Sequence, residues 1–167
     1  MTTPADYSPE ELALLIETPF AVGMAVMMAA ESGLGTVGEV AALRRLILHP
    51  AAPLADSPFI RDLLDSLRAR SEADPQAGRS LINPFEGVPR PAMGTVALAK
   101  VRQALALLQA KGTPAAIASY RQWLLAIGRG VAQAAKEGAV FGLGGRHVSA
   151  AEEAFLSELE AALHDRA

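Results

Sequence analysis

Apolar residues recur along this chain at the spacing of one face of an α-helix. The clearest stripe comprises Phe59, Ile60, Leu63, Leu64 and Leu67, which follow the i, i+1, i+4, i+5, i+8 pattern of an amphipathic helix. Similar stripes recur in both directions from it, and no segment alternates apolar and polar residues with the period of a strand. The pattern therefore predicts an all-α protein.

Capping residues mark where these helices begin. Serine or threonine before a proline at the first helical position is a typical start, and this pair occurs at Ser8, Thr18, Ser57 and Thr113. Three starts carry a Ser/Thr-x-x-Glu capping box: Ser8 with Glu11, Thr36 with Glu39, and Ser149 with Glu152. Stripes and caps together predict helices over 9–17, 19–32, 37–48, 58–71, 94–111, 114–137 and 150–164.

One of these helices is apolar on all sides. The twelve residues from Pro19 to Ala30 carry no charge. As a helix they would span about 18 Å, which is short of the ~30 Å hydrocarbon core of a bilayer. We therefore expect this helix to be buried in the protein rather than to cross a membrane.

The length of 167 residues, of which 51% are hydrophobic and 20% charged, fits one domain with a sizeable core. We predict a single domain over 1–167, folded as a bundle of about six to seven helices. Gly128 and Ala132 are spaced by four residues, which would let their helix approach a neighbour closely, whereas Gly130 lies off that line. The short helix 37–48 has an apolar stripe made of Val40, Leu43 and Ile47, which we expect to face the core.

A Pro/Gly-rich segment at about 73–93 is predicted to lack a regular element. It holds four prolines and two glycines within some twenty residues, and loops of that length are uncommon in compact domains. A packed surface loop, a contact with a partner or second copy, and a lid over a ligand are the three interpretations.

Composition excludes several classes of function. The net charge is −3, from 15 basic and 18 acidic residues, and the pairs Arg44-Arg45 and Arg68/Arg70 are interpreted as solvated helix faces. We therefore expect no nucleic-acid partner. The chain has no cysteine, and its three histidines form no zinc-binding pair, so we predict no metal and no cofactor. His49 and His164 suit the ends of helices, and the N-terminus lacks a signal-peptide pattern, which favours a cytoplasmic protein.

The glycine-rich junction before the last predicted helix is the main candidate site. Gly144 and Gly145 would expose backbone N–H groups, Arg146 and His147 would add donors or charge, and Ser149 begins the helix whose dipole favours an anion. Together they could hold a phosphate or a carboxylate.

The same junction also has a purely architectural interpretation. Glycine followed by an apolar residue is a typical helix stop, and Gly33-Leu34-Gly35, followed by a capping box, has the same form earlier in the chain. A third alternative is a site made of the carboxylates Glu31, Glu39 and Glu137, which would bind a metal or act as acid and base.

Three pieces of the chain resemble a family of small uncharacterised bacterial helical proteins. They are Tyr-Ser-Pro-Glu-Glu from Tyr7 with Thr-Pro-Phe-Ala-Val-Gly-Met-Ala-Val from Thr18, then Ser-Gly-Leu-Gly-Thr-Val-Gly-Glu from Ser32, and Lys-Glu-Gly-Ala-Val-Phe-Gly-Leu-Gly-Gly-Arg-His-Val-Ser-Ala-Ala-Glu from Lys136. The resemblance implies a bacterial, cytoplasmic, helical protein, and it implies no mechanism.

These observations predict a non-enzymatic cytoplasmic protein that acts through protein–protein contacts. Its partner would be a second copy of the chain, as in a homodimer, or another protein. The alternative is a protein that binds a small ligand or anion through the glycine-rich 142–147 loop, and a helical enzyme or metal–carboxylate protein comes third.

Overall fold

The computed structural model describes residues 3–29, 37–138 and 149–165 of the chain. Its α-helices are α1 (Pro9–Ala29), α2 (Val37–Leu48), α3 (Pro58–Ala73), α4 (Pro75–Ile82), α5 (Met93–Lys111), α6 (Pro114–Gly138) and α7 (Ala150–His164). Short 3₁₀ turns precede α1, α3 and α5, at Pro4–Asp6, Leu54–Asp56 and Arg90–Ala92. These described ranges contain no strand, and the predicted all-α helical bundle is confirmed.

Helix α1 lies at the centre of the bundle and packs against each of the other six helices. Nearly every side chain from Leu15 to Met27 is buried, because from Pro19 onward this part of the helix is apolar on all sides. The predicted buried apolar helix near the N-terminus is confirmed. The predicted break between helices 9–17 and 19–32 is wrong, because α1 runs without interruption through Pro19.

Two hydrogen bonds explain why Pro19 does not end α1. Proline has no N–H to donate to the carbonyl four residues earlier, which belongs to Leu15. The buried hydroxyl of Tyr120 donates to that carbonyl over 2.9 Å instead. Thr18, which sequence suggested as a cap, donates from its hydroxyl back to the Leu14 carbonyl over 2.7 Å. A tertiary contact thus replaces the bond that proline removes.

The continuous helix also changes the membrane argument. With 21 residues α1 is about 31 Å long, so by length and composition it is long and apolar enough to cross a membrane. The sequence argument that this helix is too short to cross a bilayer is therefore wrong, because it counted only twelve residues. Two thirds (67%) of the most apolar 18-residue window of α1 is buried inside the protein, as in the core helix of a bundle.

Glycines allow α6 to approach helices on two sides. A Cβ built on Gly128 would lie 2.9 Å from Leu159 of α7, and one built on Gly130 would lie 2.5 Å from Leu46 of α2. The predicted close approach at Gly128 is confirmed, with Ala132 buried beside it. Gly130, which lies off that line, serves a second neighbour.

The segment 73–93 contains more regular structure than the sequence predicted. Helix α4 forms because the Asp74 side chain accepts hydrogen bonds from the N–H groups of Gln76 and Ala77, and Pro75 occupies the first helical position. Gly78 then packs directly on Ser71 of α3. The prediction of a segment without elements is therefore wrong for Pro75–Ile82 and Arg90–Ala92.

The other predicted helices are confirmed to within two residues at their ends. Both described capping boxes form, at Ser8 with Glu11 and at Ser149 with Glu152, whereas Thr36 lies outside the described residues. One predicted core position is wrong: Val40 is 42% exposed, while Leu43 and Ile47 are buried.

Candidate functional site

The predicted glycine-rich site falls mostly outside the described residues, since Gly144, Gly145, Arg146 and His147 all lie between α6 and α7. Ser149 is described and caps α7. Its N–H donates to the carboxylate of Glu152 over 2.7 Å, and its hydroxyl accepts from the N–H of Glu152 over 3.2 Å. Ser149 therefore has an architectural role.

Ser149 also fixes the start of α7 against the end of α1. Its hydroxyl donates to the Ala29 carbonyl over 3.4 Å. The guanidinium of Arg90, just before α5, donates to the Met28 carbonyl over 3.0 and 2.8 Å. These donors satisfy carbonyls that a helix C-terminus leaves without a partner. This end of the bundle thus joins α1, α5 and α7.

The predicted carboxylate site is not brought together among the described residues. Glu31 lies outside them, as do the side chains of Glu39 and Glu137. The described parts of the chain contain no group of three His, Asp or Glu side chains able to hold a metal. His164 lies at the end of α7, where its ring Nδ1 is 2.7 Å from the Glu160 carbonyl.

An open cleft between α2 and α3 is the feature that sequence reasoning missed. We call it the α2–α3 cleft, and its volume is about 390 Å³. It is lined by Leu48, His49, Pro50, Ala55, Ile60, Arg61, Leu64, Asp65 and Arg68. That volume lies within the range of ligand-binding sites in proteins.

The two walls of the cleft follow from local structure. Helix α2 ends at Leu48, and the loop that follows returns the chain to α3 through the 3₁₀ turn at Leu54–Asp56. On α3, Arg61, Asp65 and Arg68 are spaced by four and three residues, so they share one face of the helix. The buried side chains of Ile60 and Leu64 lie beside that face and form the apolar floor.

The rim of the cleft carries an excess of positive charge. Arg68 forms an exposed ion pair with Asp65 over 2.8 Å. Arg61 and the ring of His49 have no hydrogen-bond or ion-pair partner in the described part of the chain. One arginine is therefore left uncompensated on a protein whose net charge is −3. An apolar floor with a free cation at its edge suits an anionic partner with an apolar body.

A signal for this cleft was present in the sequence but ambiguous. Arg61, Asp65 and Arg68 form a polar stripe beside the apolar stripe of α3. This stripe belongs to no recognisable binding motif. Such stripes are usually solvated helix faces, and Arg68 is indeed exposed. The sequence did not indicate that Leu48, His49 and Pro50, at and just after the end of α2, lie close enough to α3 to line a cleft with it.

A second polar cluster ties the start of α1 to the end of α5. The carboxylate of Glu11 accepts from the ammonium of Lys111 over 2.6 Å and from the N–H of Ser8 over 2.8 Å. These hydrogen bonds stabilise the charged form, so the pKa of Glu11 is below its ordinary value, with the bond from Lys111 as the largest cause. Nearby, burial raises the pKa of Tyr7.

Comparisons with known proteins assign no family to this chain. It matches no protein-family model, no curated protein and no solved structure. The resemblance to small bacterial helical proteins therefore stays a prediction.

Proposed function

We propose that this is a non-enzymatic helical protein that acts by binding another protein, and that the α2–α3 cleft is its binding site. The observation that carries the proposal is an open cleft with an apolar floor, beside which Arg61 is exposed and has no ion-pair or hydrogen-bond partner among the described residues. Burying exposed apolar surface and pairing a free cation both favour association.

The openness of the cleft favours a segment of a protein over a small molecule. Sites for small molecules bury most of the surface of their ligand. A ligand confined to the α2–α3 cleft would leave one side in water, because the cleft is open and its lining includes the exposed residues His49, Arg61 and Arg68. A protein segment can lie in the cleft and continue beyond both walls.

Selection from a random library of peptides of about twelve residues, displayed on phage, tests the proposal. Filling the cleft should weaken the binding of the selected peptides, so the key variant is Ala55→Trp, in which indole occupies space that Ala55 borders. Ala77→Trp on the exposed face of α4 is the matched control. We expect micromolar binding to the wild type and the control, and at least about ten-fold weaker binding to Ala55→Trp.

Two binding results would contradict the proposal. If the library yields no peptide, or if the selected peptides bind Ala55→Trp as tightly as Ala77→Trp, the α2–α3 cleft is not a protein-binding site. Circular dichroism of both variants establishes that each is folded before affinities are compared.

We also propose that the protein works in the bacterial cytoplasm, as the resemblance implies. The partner would be another protein or a second copy of the chain. Light scattering at micromolar concentration distinguishes these two: a dimer that dissociates in Ala55→Trp would place a second copy in the cleft, and a monomer favours a different protein.

Binding of a small ligand or anion by the glycine-rich 142–147 loop is the second candidate. It is favoured by the capping box at Ser149, which fixes the start of α7 and the dipole that would face an anion. Under this alternative, inorganic phosphate or phosphate-bearing metabolites raise the melting temperature, and Arg146→Ala removes the rise. The absence of any shift across a broad metabolite panel would exclude it.

A further inference from the structure

We propose that the partner segment is acidic, with one or two large apolar side chains that enter the α2–α3 cleft and carboxylates that pair with its rim. This inference rests on the proposed function and adds the chemistry of the partner. It follows from the nature of the floor and from the arrangement of charges around it.

The floor selects an apolar anchor. Ile60 and Leu64 expose little surface, and the half-buried side chains of Leu48 and Ala55 line the cleft with them. An aliphatic or aromatic side chain from a partner would complete this apolar surface and exclude water from it. Such buried anchors carry most of the binding free energy in protein interfaces.

The rim selects the sign of the partner's charge. Within the lining, Asp65 is the only acidic residue, and Arg68 already pairs with it over 2.8 Å. Arg61 has no ion-pair partner among the residues that the structure describes, and its planar guanidinium can bind a carboxylate through two parallel hydrogen bonds. A basic segment would instead meet an uncompensated positive charge.

The positive surface continues along α2 beyond the cleft. Arg45 is exposed and precedes Leu48 by three residues and His49 by four, so it lies on the same side of α2 one turn earlier. Among the described residues Arg45 makes no side-chain hydrogen bond or ion pair. A segment that lies in the cleft can therefore meet Arg61 on α3 and Arg45 on α2.

The test repeats the library selection on three proteins: the wild type, Arg61→Glu and the matched control Arg102→Glu. Arg102 is exposed on α5 and lies outside the cleft, so both variants carry the same change in charge. We expect the peptides enriched on the wild type and on Arg102→Glu to be net negative and to contain a large apolar residue. On Arg61→Glu, this acidic enrichment should be lost.

Affinities of the leading peptide then quantify the effect. We expect Arg61→Glu to weaken its binding about ten-fold and Arg102→Glu less than about two-fold. Replacing the Asp and Glu residues of the peptide by Asn and Gln should weaken binding to the wild type by a similar factor, and raising the salt concentration should do the same. Thermal melts of both protein variants establish that folding is unchanged.

The outcomes separate this inference from the proposed function. If the selected peptides lose affinity for Ala55→Trp but carry no acidic excess and bind Arg61→Glu normally, the cleft binds proteins and the acidic partner is wrong. If the peptides are insensitive to Ala55→Trp, the proposed function itself fails.

Discussion

The middle of α1 and the α2–α3 cleft differ in how their polar groups are satisfied. Around Pro19, the carbonyl that lost its helical donor accepts from Tyr120, and the Thr18 hydroxyl donates within its own helix. At the cleft, Arg61 is exposed and has no partner in the part of the chain that the structure describes, and the cleft beside it is open to water.

This difference indicates that the polar groups around Pro19 serve stability, whereas Arg61 is available for binding. Burying a polar group without a partner is costly, so the interior of α1 must pair its polar groups internally. An exposed arginine at the edge of an apolar cleft contributes little to folding, and its pairing can come from another molecule. Substitutions in α1 should therefore lower stability, and substitutions at the rim should lower binding.

The largest expected effect is at Tyr120. Tyr120→Phe leaves the Leu15 carbonyl buried without a donor, which should lower the free energy of unfolding by about 1–3 kcal/mol. In a Pro19→Ala background, the new N–H of residue 19 can donate to that carbonyl, so the same substitution should cost less. Denaturant unfolding of the four proteins in this double-mutant cycle measures the coupling.

A coupling near zero would contradict this account of Pro19. Contacting residues that share one acceptor should be non-additive by more than about 0.5 kcal/mol. If the two substitutions are additive, Tyr120 stabilises the protein only by packing, and another group compensates the missing N–H.

The next effect concerns close packing on α1. A Cβ at Gly23 would collide with the side chain of Leu43 from α2 and lie 3.2 Å from Ile127 of α6. Although alanine favours helix more than glycine does, we expect Gly23→Ala to destabilise the protein by about 1–3 kcal/mol because of overpacking. Gly94→Ala is the control, since its Cβ meets Phe155 at an ordinary 3.5 Å.

Thermal or denaturant unfolding measures the change in stability of both variants. Gly94→Ala should be neutral or stabilising by up to about 1 kcal/mol. A Gly23→Ala protein as stable as Gly94→Ala would mean that α1 and α2 are less tightly packed than the structure shows.

At the cleft we expect almost no effect on stability. Arg61→Gln removes a charge that has no partner among the described residues, so the free energy of unfolding should change by less than about 0.5 kcal/mol. A loss as large as that of Tyr120→Phe would show that Arg61 serves the fold, and the contrast between the two regions would not hold.

A further expected effect is a pH dependence of stability at the start of α1. Because the pKa of Glu11 is lower in the folded state, its charged form stabilises the protein at neutral pH. That contribution is lost as the pH falls from the ordinary glutamate value through the lowered pKa. Glu11→Gln should therefore lower the melting temperature at about pH 7, and the deficit should shrink as the pH falls below the ordinary glutamate pKa. A deficit that is independent of pH would assign the effect to packing.

The sequence predicted the fold well where local signals act alone. The stripe from Phe59 to Leu67 is buried as expected, and the Ser149–Glu152 capping box forms. Local signals failed where a distant residue decides: Pro19 looks like a helix start until the Tyr120 hydroxyl is placed beside Leu15. Val40 fits a helical stripe, yet the position of α2 leaves it exposed.

The candidate site was less predictable than the fold. The cleft requires the residues that follow α2, such as His49, to lie near Arg61 on α3, and no spacing along the chain encodes that approach. A glycine-rich motif is easy to recognise in a sequence because its residues are neighbours along the chain. In the predicted anion site before α7, however, the described residue Ser149 caps a helix.

Chemical-shift mapping tests the central claim most directly. Titrating ¹⁵N-labelled protein with a library-selected peptide should shift backbone amides at the end of α2 and along the Arg61–Arg68 face of α3, and should leave those around Arg102 on α5 unchanged. Shifts confined to the start of α7 near Ser149, or to any surface away from the α2–α3 cleft, would contradict the assignment of the cleft as the binding site.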